Sequence, residues 1–372
     1  MNNFFIAYFP YISLKDVPEI DFGFAKVWNF DLKKNDYITD QRLLEKIEKI
    51  INVNVELWSG SIRNVGIISV GSIDFREYNE EENEIIRQIR HILFISFIAK
   101  NNTVRPGPNV GFSMATAENF DVIYQNFSLD GENFSEQTGE IININAGGYN
   151  FSRTKFQKPR YIQNPFRFNI DLEMFDGVLK LRLDKPLVFR KVLNAIQIFM
   201  ESYYNTPYLS RNARVLLNAS AFEIVLSLPE IQQRKVFKEK IKKLISFDGE
   251  REYSYWTKIG KQSRKLKGTI VEIWADKFYS LRNSIIHGNN LIPQDFIFKN
   301  FQYHLDISCL VFIILLKKQF EKSLGNDYEC NYEIKWDKWI DEFPINKENQ
   351  GFVYSISTRR LFEKFIKKHK LK

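Results

Sequence analysis

Leu281-Arg282-Asn283-Ser284-Ile285-Ile286-His287-Gly288 closes an apolar run that begins at Thr269. Its periodicity predicts a helix over residues 269–287, and Gly288 supplies the residue on which helices most readily end. Further helices are predicted over residues 187–204, 210–228 and 295–320, with another from Pro229 to about Ser246, where proline suits a first helical turn. The chain after Pro186 is therefore expected to be a helical domain. The same stretch gathers an arginine, an adjacent amide and a histidine near one helix end. A guanidinium holds a phosphate through a planar fork of donors, and an imidazole moves protons near neutral pH.

Before Pro186 the pattern is mixed. Residues 4–12, 24–30, 53–58 and 64–74 read as strands. Asp40 offers an N-cap to a helix ending near Ile51, with Leu43, Leu44, Ile47, Ile50 and Ile51 on one face. Residues 80–100 form a predicted long helix, acidic at its start and apolar toward its end. From Asn101 to about Leu183, Gly, Asn and Pro are frequent, and residues 120–127, 140–146 and 179–183 read as short strands. Ala146-Gly147-Gly148-Tyr149 lacks the strand–helix context of a phosphate-cradling loop and reads as a turn. The expected fold is an α+β N-terminal domain over 1–183 followed by an all-α helical bundle over 186–322. An extension over 326–372 carries Trp336, Trp339 and a basic helix from Thr358.

The 372 residues are 44% hydrophobic and 15% aromatic, enough for packed cores in two domains, and 26% are charged. The net charge of +8 favours an anionic partner, nucleic acid first, or else reflects a lysine-rich solvated surface. The two cysteines, Cys309 and Cys330, make neither a disulfide framework nor a zinc pattern. Cys309 sits in an apolar helical run and reads as core. The first residues lack the basic start of a secretory signal, and the longest apolar run, 309–316, is too short to span a bilayer. A cytoplasmic protein with no membrane partner, no metal site and no cofactor is expected.

The order Arg282, Asn283, then His287 and Gly288, on an apolar helix with Tyr279 one turn before Asn283, resembles the Arg-x4-6-His signature of the HEPN superfamily. Tyr279-Ser280-Leu281-Arg282-Asn283-Ser284-Ile285-Ile286-His287-Gly288, after a helix containing Ala221-Phe222-Glu223, resembles the Apea-like branch. The likeness covers roughly residues 186–322, is specific over the motif and loose elsewhere. It implies an HEPN-like helical bundle that forms a homodimer through its motif helices. Many members are metal-independent RNA endonucleases of phage-defence, abortive-infection or toxin systems, and others are silent binding modules. Carried over, Arg282 and His287 are the catalytic pair and Asn283 the accompanying polar residue. The expected reaction is attack of an RNA 2′-hydroxyl on the adjacent phosphate. His287 would carry the proton, Arg282 would stabilise the phosphorane, and a 2′,3′-cyclic phosphate would result. The N-terminal domain is left with a sensing or regulatory role toward a protein or ligand.

Five residues separate Arg282 from His287, so on a straight helix they lie about 140° apart. Two copies across a dimer axis, or a local distortion, would be needed to bring both to one phosphate. Asn283 and His287 are one turn apart and face the same way. Two alternatives stay open. Arg282 could pair with an acid such as Glu223 or Asp276 while His287 only caps its helix, leaving a dimerisation and binding module. A nucleic-acid binder without cleavage is the other.

Lys258, Lys261, Arg264, Lys265 and Lys267 crowd the polar connection over residues 247–268, after Tyr253, Tyr255 and Trp256. Such a segment could track and stack an RNA strand, or be a solvated loop. The basic residues of the terminal helix alternate with apolar ones, which suits packing on the protein or binding an anionic surface. His91 and His304, set among apolar residues, read as core histidines.

Overall fold

A computed structural model describes residues 3–12, 14, 17–31, 38–52, 54–55, 64–71, 75–101, 117–129, 134–138, 141–142, 156–157, 170–204, 208–246, 250–259, 262–299, 302–325 and 328. The chain divides into two compact units, Met1–Phe97 with Asn109–Ile170, and Ile98–Pro108 with Asp171–Lys372.

In the first unit, strands β1 (Asn3–Phe9), β2 (Glu19–Asp21) and β3 (Lys26–Asp31) precede helix α1 (Gln41–Ile51). Then come β4 (Asn54–Val55), β5 (Asn64–Ser69), helix α2 (Glu80–Asn101, its residues after Phe97 falling in the second unit), β6 (Ile123–Ser128), β7 (Phe134–Thr138), β8 (Ile141–Ile142) and β9 (Phe156–Gln157). Seven of these strands form one sheet in the order β2-β3-β5-β1-β6-β7-β8, every neighbouring pair antiparallel. Strands β4 and β9 form a separate parallel pair.

Alternation along the strands separates two apolar sets. Ile6, Tyr8, Phe30, Val65, Ile67, Ile123 and Phe127 share a core with Leu43, Ile47, Ile50 and Ile51 of α1. Phe5, Ala7, Phe9, Val27 and Ile68, the alternate residues, are buried as well. Asp40 caps α1, its Oδ1 accepting from the backbone N–H of Arg42 at 2.9 Å. Helix α2 carries Glu80, Glu81 and Glu82 in its first turn, and Phe94 and Phe97 meet Phe120. Arg90 holds the same segment through the Phe120 carbonyl and Asp121. His91 is a core histidine. Burial first, then Arg90 and Arg87, pushes its pKa down to about 3.

The second unit is helical: α3 (Leu172–Asp184), α4 (Pro186–Glu201), α5 (Arg211–Leu226), α6 (Gln233–Ile245), α7 (Ile270–Ile286) and α8 (His304–Leu324). A hairpin of β10 (Tyr253–Ile259) and β11 (Gln262–Gly268) leads into α7, and β12 (Ile297–Lys299) pairs with β13 (Gln302–Tyr303) ahead of α8. Phe222 packs among Phe237, Trp274, Phe278 and Phe312, and Phe199 stacks on Phe312 at 4.1 Å. Each buried ring contributes roughly 1.5–3 kcal/mol from apolar burial, and each favourable ring pair about 0.5–1.5 kcal/mol more. Lys317, buried on α8, reaches Asp171 at 3.0 Å and Glu173 at 2.8 Å and so ties α8 to the start of α3. Cys309 is core, its thiol pushed up to about 12 by burial.

The overall expectation of an α+β portion followed by a helical one agrees with this architecture. Four local expectations are corrected. Residues 179–183 are not a strand but the end of α3, because Met174, Val178 and Leu181 bury one face at helical spacing. Pro229 does not open a helix. It lies between the left-handed residues Ser227 and Gln232, which reverse the chain before α6. The connection over 247–268 contains the β10–β11 hairpin. The helix expected from Asp295 starts at His304, after a single 3-10 turn over Pro293–Phe296 and the β12–β13 pair. The glycine-rich turn at 146–149, Cys330, and the extension with Trp336, Trp339 and the basic terminal segment lie outside the described residues. Among the described residues no helix is long and apolar enough to cross a membrane.

Candidate functional site at the end of α7

Helix α7 is fixed at both ends. Thr269 and Glu272 form a capping box, the Glu272 carboxylate accepting from the Thr269 backbone N–H at 2.9 Å. At the other end His287 is the last near-helical residue, with φ −80° and ψ 5°. Gly288 follows at φ +66°. The Gly288 N–H donates to the Ile285 carbonyl and the Asn289 N–H to the Ser284 carbonyl, both at 3.0 Å. That pair of bonds is a Schellman closure, and it needs a residue at ease in the left-handed region.

Between these ends the helix passes from core to surface. Trp274, Phe278, Tyr279 and Leu281 are buried, Arg282 and Asn283 are half-buried, and Ile286 and His287 are exposed. The motif therefore sits where a well-held helix emerges into solvent.

Arg282 has three neighbours here. Its Nη2 lies 3.0 Å from Glu223 Oε1 on α5, with both side chains 19% exposed. Its Nη1 donates to Asn283 Oδ1 at 3.1 Å. Its guanidinium carbon stands 5.2 Å from the centre of the Tyr279 ring, a cation–π distance. The Tyr279 hydroxyl is 2.6 Å from Glu223 Oε1 and 3.0 Å from Gln233 Oε1 on α6. It has one proton to give, and the carboxylate is the stronger acceptor. Burial, then the bonded Glu223 carboxylate, pushes the Tyr279 phenol well above its usual range.

Of the two acids that sequence offered for Arg282, Glu223 is the one that pairs with it. Asp276 is engaged elsewhere: Arg234 of α6 grips it at 2.9 and 3.0 Å, and Thr257 Oγ1 of β10 donates to it at 2.8 Å. Gln233 and Arg234 were not singled out by sequence. Side by side on α6, they brace Tyr279 and seat the hairpin on α7. Their only sequence signal is polarity at a helix start, which is common.

The structure thus joins Arg282 to Asn283, Glu223 and Tyr279. His287 is exposed five residues on from Arg282, which at an ideal 100° per residue is about 140° further round. The hairpin register also divides the basic residues. Trp256 pairs with Lys265 and Ser254 with Lys267 on one face, all four exposed, with Trp256 at 65%. Leu266 pairs with the buried Tyr255, and Arg264 with the buried Thr257, on the other face, where Arg264 itself is exposed. Tyr255 is buried there, taking a hydrogen bond from Lys238 at 3.1 Å, so it is no stacking platform. Lys261 and the side chain of Lys258 lie outside the described residues. His304 is buried like His91. Burial first, then Lys277, pushes its pKa down to about 3. Among the described residues no group of three or more His, Cys, Asp or Glu side chains is placed to hold a metal ion.

Comparison with protein-family models, with curated proteins and with solved structures finds no match to this chain.

Proposed function

We propose that the second unit is an HEPN-like bundle and that the end of α7 is the active site of a metal-independent RNA endonuclease. The observation that carries this reading is the exposed end of α7. Arg282 and Asn283 are hydrogen-bonded to each other and His287 stands in solvent one turn beyond Asn283. Arg282 is oriented by Glu223 and the Tyr279 ring, so its fork is held in place ahead of any phosphate. Such preorganisation is what electrostatic stabilisation of a phosphorane requires.

In this reading one helix does not bring both groups to one phosphate, so the site is composite. Ile286 and Ile292, before and after His287 in sequence and 51% and 58% exposed, support isologous pairing of α7 ends in a homodimer. The 2′-hydroxyl oxygen bonds to phosphorus as its proton passes to a His287 imidazole. The bond from phosphorus to the 5′-oxygen breaks as an imidazolium returns a proton to that oxygen. Arg282 neutralises the equatorial oxygens. A role as an effector of phage defence, abortive infection or toxicity follows from the resemblance, and a cytoplasmic setting from the sparse cysteines, with the first unit as the regulatory part.

The test is chemical. An RNA oligonucleotide should be cut to a 2′,3′-cyclic phosphate, and replacing the scissile ribose by 2′-deoxyribose should abolish the cut. Cleavage that survives this replacement overturns the mechanism.

A second reading has its own observation. The Arg282–Glu223 pair, with Tyr279 as third member, also serves to bolt α7 to α5. Under it the unit is a catalytically silent dimerisation and binding module.

A further inference from the structure

The outer face of the β10–β11 hairpin has a composition that packing does not explain. Lysines are ordinary on the solvent face of a hairpin, whereas tryptophan is on average highly buried. Here the face carries Ser254, Trp256, Lys265 and Lys267, and the indole is the most exposed tryptophan side chain described, at 65%. Trp256 and Lys265 are direct cross-strand partners, so their Cβ atoms are about 5 Å apart. Lys267 is Lys265's neighbour on that face, two residues along β11.

The platform is rigid from behind. Thr257, next to Trp256, is buried and bonded to Asp276 of α7, and Arg234 clamps that pair. Tyr255, on the other side of Trp256, is buried against Lys238. The flanking residues therefore fix the strand while Trp256 is turned outward.

We propose that this face binds a single-stranded nucleic acid, one base stacking on Trp256 and the flanking phosphates paired with Lys265 and Lys267. An exposed indole offers a π-face that any base can use, and the lysines supply point charges for phosphates. The chain's net charge of +8 matches a polyanion. A duplex buries its base faces and cannot stack on the indole, so the face selects single strands. Under the ribonuclease reading, on which its biological role rests, this strand is the RNA substrate, held by a hairpin built on the motif helix.

The test is binding of a fluorescein-labelled uridine 12-mer to the full chain carrying His287→Ala, which removes cleavage under that reading. Trp256→Ala should weaken binding about 5- to 150-fold, the loss expected for one stacked base. Lys265→Ala with Lys267→Ala should reduce the slope of log affinity against log salt by about 1.4. Circular dichroism should show both variants folded, since the changed side chains are exposed. An RNA duplex of equal length should bind more weakly. Equal binding by the Trp256→Ala variant overturns the proposal, as does no binding by the parent. Equal competition by a poly-glutamate peptide also overturns it, since that would mark a protein-binding face. Binding of the 12-mer, with neither it nor a mixed transfer-RNA pool cut by the unsubstituted chain, would count against the ribonuclease reading and leave this one. Cleavage with a KM untouched by Trp256→Ala would do the reverse.

Discussion

Arg282 Nη2 and Glu223 Oε1 are 3.0 Å apart, and the same carboxylate oxygen takes the Tyr279 hydroxyl at 2.6 Å. One oxygen on α5 thus organises two residues of α7. A charged hydrogen bond of this kind is worth about 1.5–3 kcal/mol when its partner is removed. Glu223→Ala should therefore lower unfolding stability by that amount, and Glu223→Gln by less, since the amide oxygen still accepts from Tyr279. Urea titrations would measure both. A Glu223→Ala variant as stable as the parent would show that α7 does not depend on this contact.

Gly288 gives a backbone prediction. At φ +66° with no atom within 4 Å of an added Cβ, substitution meets no steric neighbour and costs only left-handed strain. Gly288→Ala should destabilise by about 1 kcal/mol and Gly288→Asn by less. Denaturant midpoints would decide between this and a helix end that continues without reversal, for which alanine would be stabilising.

Gly177 tests packing against propensity. Alanine there gains about 1 kcal/mol of helix propensity in α3. Its Cβ would lie 2.5 Å from Phe320 Cδ2 and 2.8 Å from Tyr328 Cε2, both on buried rings. Overpacking of about 1–3 kcal/mol outweighs the gain, so Gly177→Ala should lower the melting temperature. A raised melting temperature would mean that the rings move aside at little cost.

The buried histidines set an acid limit. His304 has a folded pKa pushed down to about 3, against about 6.5 in an unfolded chain. The unfolded state therefore binds the proton first. Stability is fully present above about pH 6.5 and is lost as pH falls toward 3, by about 1.4 kcal/mol per pH unit for one such group. His304→Leu should make the fall in urea midpoint across this window shallower. An unchanged pH dependence would contradict a neutral buried imidazole.

How far the sequence carried depends on whether an element's signal is local. The end of α7 was readable because its stop, Gly288, and its apolar face are contiguous. Helix α1 was readable because Asp40 and the Leu43–Ile47–Ile50–Ile51 face follow one period. The hairpin was missed although residues 253–259 alternate and glycine leads the dipeptide Gly260-Lys261, a sequence signal for a hairpin link. One of its faces meets only solvent, so its lysines made the segment look like a loop. The strand expected at 179–183 failed for the opposite reason: a short apolar run has no period of its own, and contacts from α4 and α8 make it helix. The Glu223–Arg282 pair joins distant segments, so sequence offered two acids and only the fold chose between them.

The most direct measurement is cleavage of a mixed transfer-RNA pool in EDTA by the full chain and by its Arg282→Ala and His287→Ala variants, with folding matched by circular dichroism. Cleavage by the parent, reduced by about 10²-fold or more in each variant, is the predicted result. Cleavage that persists in both variants would contradict a catalytic role for the end of α7.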